Sequence, residues 1–288
     1  MIGTRLTELL QQKGYDVAHV GRSKKKRFIE SFTWNIDQHY IEPGALIGVN
    51  AIIHLAGAGV ADKPWTEKRK EEILLSRIRS TRLLYDELKL GNHHVRVLVC
   101  ASAIGYYGVE DDGNVLTEQS KPGVDFLADV TRRWEAEADK ISEFVRVCKI
   151  RTGIVLSTKG GALPKIVAPV NWFVGSPLGT GNQFMNWIHI DDLCAMYIRM
   201  IEDDSLSGAY NAVAPNPVTN RELTKTVARV LKKPLILPAV PAFALKFVLG
   251  EMAYIVLRGG KVSSEKIQRK GFTFAFTDLE HALRNLLK

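Results

Sequence analysis

Val95-Arg96-Val97-Leu98-Val99-Cys100-Ala101, running straight into Ser102-Ala103-Ile104-Gly105-Tyr106-Tyr107-Gly108, is the stretch on which the fold turns. Its first half is a short apolar run with a single charge, the pattern of a strand buried on both faces. Its second half puts small residues and hydroxyls at the carboxyl end of that strand. Residues 16–20, 51–56 and 145–151 have the same apolar character, and longer segments of helical period separate the runs. Strands alternating with helices in this way predict a parallel sheet built from βαβ units.

Residues 66–88 place Ile73, Leu74, Ile78, Leu84 and Leu88 on one face with Lys and Glu opposite, and Gly91 follows as a stop signal. A second helix is predicted over 123–144 and a third after Asp191, whose side chain is placed to cap it. Beyond residue 157 the rhythm changes. Gly160, Gly161, Pro164, Pro169, Gly175, Pro177, Gly179 and Gly181 break up the chain, which predicts a loop-rich region facing a substrate. Thr219-Asn220-Arg221-Glu222 has capping-box form and opens a helix to about Leu231. A mostly apolar helix from Pro238 and an amphipathic one over 277–287 complete the chain. The expected organisation is a doubly wound parallel α/β sheet over 1–157 and 187–214, with a smaller, mainly helical lobe from 158–186 and 215–288.

The chain has 288 residues, 46% of them apolar and 24% charged, enough to bury a full core. Cys100, Cys148 and Cys194 lie far apart in apolar runs without a CxxC pair, so neither a disulfide framework nor a zinc site is signalled. There is no apolar run of membrane-spanning length and no signal-peptide layout at the amino end, and a cytoplasmic setting is expected. The net charge of +8 favours anionic partners, nucleic acid or phosphorylated small molecules. The lysines are scattered and no aromatic-rich basic groove is visible, so neither a nucleic-acid nor a membrane partner is expected; a homodimer is left open.

Several residues carry chemistry. Met1-Ile2-Gly3-Thr4 runs directly into an amphipathic helix, and a glycine there suits the last position of a G-x-x-G-x-x-G turn, where it lets helix and strand pack closely. The strand and earlier glycines of such a turn are expected upstream of Met1. After the next strand come Gly21-Arg22-Ser23-Lys24, where an acid would bind the ribose hydroxyls of NAD. Arg22, Ser23 and Lys24 instead suit the 2′-phosphate of NADP, and NAD is the less favoured cofactor. The alternative is a solvated basic loop continuing through Lys25, Lys26 and Arg27. Leu55-Ala56-Gly57 ends a third strand with residues small enough for a ligand to approach the backbone. At the fourth strand end Ser102, Tyr106 and Tyr107 are the candidate catalytic hydroxyls, aromatic packing being the competing reading for the tyrosines. Asp111, Asp112 and Glu118 read as a turn beside Gly113 and Asn114, and His93 and His94 as solvent-facing residues ending a helix.

Together these residues resemble the extended short-chain dehydrogenase/reductase superfamily. Arg151-Thr152-Gly153-Ile154-Val155-Leu156, Trp187-Ile188-His189-Ile190-Asp191-Asp192-Leu193 and Gly208-Ala209-Tyr210-Asn211-Ala212 match its later landmarks in order. More narrowly, Trp65, Ser76-Arg77, the Ser102 to Gly108 run and Trp134-Glu135 are similar to an epimerase-like subfamily of atypical members. The resemblance implies a Rossmann domain, a nicotinamide cofactor and a hydroxyl or carbonyl substrate. It also exposes a departure. Active members carry a Y-x-x-x-K pair; alignment on Glu135 puts Leu127 at the tyrosine position and Thr131 at the lysine position, and counting back from Tyr107-Gly108 puts Ala103 at the usual serine. An NADP-dependent oxidoreductase or epimerase-like protein is expected, acting on a hydroxyl or carbonyl substrate, whether or not nucleotide-linked, near Ser102, Tyr106, Lys165, Gln183 and His189. For His189 a structural hydrogen bond in a strand-to-helix turn is the competing reading. The alternative to an enzyme is a non-catalytic NADP-binding sensor or scaffold.

Overall fold

The computed structural model describes residues 1–24, 29–108 and 113–288. From the amino end, helix α1 (Ile2–Gln12) leads to strand β1 (His19–Gly21), which pairs in parallel with β2 (Ser31–Asn35), while β3 (Tyr40–Ile41) returns antiparallel to β2. Then come β4 (Ala51–His54), α2 (Glu67–Lys89), β5 (Val97–Ala103), α3 (Phe126–Lys140) and β6 (Arg146–Thr152). The chain continues through β7 (Ile154–Leu156), α4 (Ala162–Asn171), β8 (Phe184–Met185), β9 (Trp187–His189), α5 (Ile190–Glu202) and β10 (Gly208–Ala212). It ends with β11 (Val218–Thr219), α6 (Asn220–Leu231), α7 (Ala242–Leu249), α8 (Tyr254–Leu257), α9 (Glu265–Arg269) and α10 (Leu279–Leu287).

The main sheet runs β10-β6-β5-β4, all parallel. Its strands alternate between two cores, which is why the apolar runs are nearly continuous. Val97 and Val99 of β5 join Leu6 and Leu10 of α1 and Leu193 and Tyr197 of α5. Leu98 and Cys100 point the other way, to Leu84 and Leu88 of α2 and Trp134 and Ala138 of α3. Helices thus cover both faces, and the fold is the Rossmann α/β arrangement with an additional helical region at the carboxyl end. The second core there gathers Leu163, Trp187, Leu223, Val227 and Leu283.

Local chemistry explains most boundaries. Thr66 accepts from Arg69 N to start α2, and Gly91 follows its end with φ +76°. The capping box of Thr219 and Glu222 opens α6 as expected. Three readings need correction. α5 is capped by His189, whose Nδ1 accepts from Asp191 N, because the helix starts immediately after β9 and leaves Asp191 inside its first turn. The glycine- and proline-rich segment does contain a helix, α4, with Pro169 inside it. The apolar stretch from Pro238 is broken at Gly250, whose φ of +57° ends α7, and α7 leaves Phe243 and Phe247 exposed.

The strand layer is interrupted between β1 and β4. β1-β2-β3 form a sheet of their own and β4 is the edge of the main one, with no ladder between them among the described residues. Gly3 of α1 faces Leu55 just past β4; a Cβ there would lie 3.6 Å from Leu55 Cδ1. Among the described residues, no helix is long and apolar enough to cross a membrane.

Candidate functional site

The parallel register lines up a row of polar side chains at the carboxyl ends of the strands. Ser102 of β5 stands beside Arg151 of β6, which stands beside Asn211 of β10. One step back, His54 of β4, Cys100 of β5 and Lys149 of β6 form a second row. Lys149 and Arg151, two residues apart, share one face of β6. Glu135 and Asp139, four apart, share one face of α3. The two charged pairs meet: Lys149 Nζ lies 2.6 Å from Asp139 Oδ1, and Arg151 grips Glu135 with Nε–Oε1 and Nη2–Oε2 both 2.8 Å.

Ser102 Oγ donates to Glu135 Oε1 at 2.6 Å, and Arg151 Nη1 donates to Tyr107 Oη at 3.1 Å. Tyr107 Oη in turn donates to Asn211 Oδ1 at 2.6 Å, while Glu118 Oε1 accepts from Asn211 N at 2.8 Å. Tyr106 lays its ring over the Arg151 guanidinium, 3.5 Å from the centroid. Ser102, Glu135 and Arg151 are all buried, so the network is satisfied internally. Burial works to raise the Glu135 pKa, but the hydrogen bonds and charge of Arg151 leave it below the ordinary carboxylate value. Burial pushes the Tyr107 phenol up to about 12 against the pull of Arg151.

The other catalytic-row residues sort themselves out. Leu127 and Thr131 do face the end of β5: a Cβ on Gly105 would lie 3.5 Å from Leu127 Cβ and 3.8 Å from Thr131 Oγ1. Thr131 Oγ1 donates to Leu127 O, within its own helix. His54 is fully enclosed between Trp34 and Trp134, with Ser80 and Thr81 hydroxyls each 3.2 Å from Nε2. Burial, reinforced by the Arg77 charge, pushes its imidazole down to about 4.

Arg22 and Ser23 follow β1 directly and are exposed, whereas Lys24 pairs with Glu42 at 2.6 Å. Lys25, Lys26, Arg27, Asp111 and Asp112 lie outside the described residues. Leu55 and Ala56 are half-buried after β4, and the exposed Gly57 lies beside Arg77, whose Cζ would lie 3.0 Å from a Cβ there. Lys165 of α4 reaches over to Ala61 O at 3.2 Å. Gln183 Nε2 donates to Leu178 O and Val256 O, at 3.0 and 2.7 Å, and His189 caps α5 with its ring stacked 3.8 Å from Phe276. No hydrogen bond joins Gln183 or His189 to Ser102, Tyr106 or Tyr107 among the described residues. A hollow of about 580 Å³ lined by Arg96, Asp139, Arg146 and Gly208 lies at the opposite, amino-terminal end of β5 and β6.

Sequence reasoning singled out neither the Glu135–Arg151 pair nor Arg77 as part of the site. The signal for the first was two cations at period two closing the run Val147-Cys148-Lys149-Ile150-Arg151, facing two acids at helical spacing.

A model described as the NAD dependent epimerase/dehydratase family matches residues 1–125, and a domain of unknown function matches 240–286. Epimerase family protein SDR39U1 homolog, chloroplastic, of Arabidopsis thaliana is 36% identical over all of this chain and 84% of its own length. Epimerase family protein YfhF of Bacillus subtilis is 33% identical over 99% of this chain and 94% of its own. The crystal structure of human epimerase family protein SDR39U1 (isoform 2) with NADPH superposes with a TM-score of 0.89 at 29% identity, over 99% of this chain and 95% of that one. The alternating strands, the row of residues at their carboxyl ends and these likenesses over the full length lead to one assignment: the chain belongs to the NAD dependent epimerase/dehydratase family, as an atypical member of the short-chain dehydrogenase/reductase type.

Proposed function

We propose that the chain is an NADP-dependent oxidoreductase or epimerase-like protein acting on a hydroxyl or carbonyl group of a small, nucleotide-linked substrate. The observation that carries the cofactor choice is Arg22: an exposed guanidinium directly after β1, with no ion pair to any described residue, beside a Lys24 already neutralised by Glu42. Such a fork matches the oxygens of a 2′-phosphate. The amino end of α1 fits a phosphate as well, having neither a side-chain cap nor an acid in its first turn. The human relative crystallised with NADPH supports the same choice.

The nicotinamide, when bound, gives or takes a hydride; the chain must handle the accompanying proton. Ser102 directs its proton to Glu135 and Tyr107 directs its own to Asn211. The Tyr106 hydroxyl makes no hydrogen bond among the described residues, and it sits on the turn that ends β5. It is the group free to protonate a carbonyl oxygen as that carbon becomes an alcohol. A non-catalytic NADP-binding role is the second reading, favoured by Leu127 and Thr131 and by the committed hydroxyls of Ser102 and Tyr107.

Calorimetric titration with NADPH and NADH tests the cofactor assignment. NADPH is expected to bind about ten- to a hundredfold tighter, from roughly 1.5–3 kcal/mol of charge-assisted hydrogen bonding. Arg22→Ala should erase that preference and leave NADH binding unchanged; equal affinities in the unaltered protein overturn the assignment. Turnover of nucleotide sugars separates the enzyme from the sensor.

A further inference from the structure

Arg77, on α2, is a cation with no ion-pair partner among the described residues. Its Nη1 donates to Ala58 O at 3.0 Å and to Ile73 O at 2.8 Å, both neutral carbonyls. No carboxylate of the described residues pairs with it, and Nε and Nη2 make no hydrogen bond among them. Arg151, Lys149 and Arg69 each have an acid within 4.0 Å. Arg77 instead lies against the ring of Trp134, 5.1 Å from its centroid. It passes directly over Gly57, where a Cβ would come within 3.0 Å of Cζ, 3.2 Å of Cγ and 3.3 Å of Nε. Burial, with the neighbouring Arg69 charge, brings its pKa down to about 10, still charged at neutral pH. Holding a half-buried charge without a counter-ion is costly unless an anion arrives to match it.

We infer that Arg77 is a binding residue for a phosphate group delivered to the carboxyl end of β4, with Gly57 kept free of a side chain so that the guanidinium can lie there. This rests on the reading of the site as one for a dinucleotide and a nucleotide-linked substrate. The free Nε and Nη2 edge presents two donors in the spacing that phosphate oxygens accept. The phosphate has two sources in such a site, the diphosphate of the cofactor or that of the substrate. The Nη1 bond to Ala58 O orients the fork, and Ser76, one residue earlier, holds the same loop: its Oγ accepts from Ala58 N at 3.0 Å.

The test titrates NADPH and UDP separately into the unaltered protein, Arg77→Met, Arg77→Lys and Gly57→Ala, and follows thermal stabilisation by inorganic pyrophosphate. Arg77→Met is expected to weaken one of the two ligands about ten- to a hundredfold and to abolish the pyrophosphate effect. Loss confined to NADPH assigns the cofactor diphosphate; loss confined to UDP assigns the substrate's. Gly57→Ala should weaken the same ligand by pushing the guanidinium aside. Arg77→Lys, which keeps the charge and loses the fork, should retain part of the affinity and serves if the methionine variant does not fold. A residue that merely clamps the 57–62 loop would lower the thermal midpoint and leave both titrations and the pyrophosphate shift unchanged, and that result overturns the inference. Failure of the unaltered protein to bind NADPH would instead overturn the cofactor reading, while an Arg77-dependent response to UDP and pyrophosphate would still stand.

Discussion

Replacing Arg151 by Met strips the Glu135 carboxylate of both 2.8 Å charge-assisted bonds while leaving it buried. What remains is the Ser102 hydroxyl at 2.6 Å and Lys149 Nζ at 3.8 Å. Breaking a buried pair in this way costs about 3–5 kcal/mol, and the nearby lysine argues for the lower end. In a chain of this size that is roughly 2 °C per kcal/mol, hence a fall of about 6–10 °C in thermal midpoint. Urea unfolding at pH 7 measures the free-energy difference directly.

The pH dependence is the sharper check. Folding favours ionised Glu135 in the unaltered protein, since Arg151 outweighs burial and its folded pKa is depressed. That stabilisation is complete above the unfolded value of about 4.3 and is lost as pH falls through the lower folded one. In the variant burial outweighs what Ser102 and Lys149 still supply, so the folded state takes up a proton more readily than the unfolded chain and gains stability as pH drops. The gap between the two proteins should therefore narrow from pH 7 to pH 5. Pairing Arg151→Met with Glu135→Leu should recover part of the loss, because no uncompensated charge is left buried. A single-variant loss below about 1 kcal/mol, or a gap that does not move with pH, would refute this account of the network.

Tyr106→Phe is expected to lower turnover about a hundred- to ten-thousandfold with little change in thermal midpoint, whereas Tyr107→Phe should lower the midpoint by severing Arg151 and Asn211 from its hydroxyl; full turnover in Tyr106→Phe removes it as the acid. His54, buried and neutral with its pKa near 4, lets the unfolded chain bind the extra proton between about pH 6.5 and 4, so stability should fall across that window by about 3 kcal/mol. His54→Asn should flatten that slope in acid titrations of stability, and an unchanged slope would place the titrating group elsewhere. Gly153→Ala places a Cβ 2.2 Å from Asn186 O, where β6 gives way to β7, and should cost about 1–3 kcal/mol or more by urea unfolding.

The layers of this fold were legible because they depend on period alone. Residues 97–100 alternate between two cores and 145–151 do the same, so the strands could be placed within a few residues. β2 was not foreseen: Ser31-Phe32-Thr33-Trp34-Asn35 is short, half-polar and held by pairing with β1 rather than by an apolar run of its own. The site divided along similar lines. Ser102, Tyr106 and Tyr107 were legible as strand-end groups, and the structure adds which partner each hydroxyl has. Arg77 stood out only as a landmark, since what sets it apart is that no acid of the described residues pairs with it, and an absence in space has no mark in sequence. His189 and Asp191 compete for one helix start, and only the backbone decides that His189 caps it.

The unequal size of the cores has a consequence for how the protein opens. Strands held between large apolar layers exchange their amide hydrogens late, and strands resting on few buried residues early. Here Phe32 and Trp34 of β2 lean on a small core of Ile41, Ala45 and Leu83, while β5 and β6 are locked between two larger ones. Amides of β5 and β6 should exchange only when the whole chain unfolds, and those of β2 well before it.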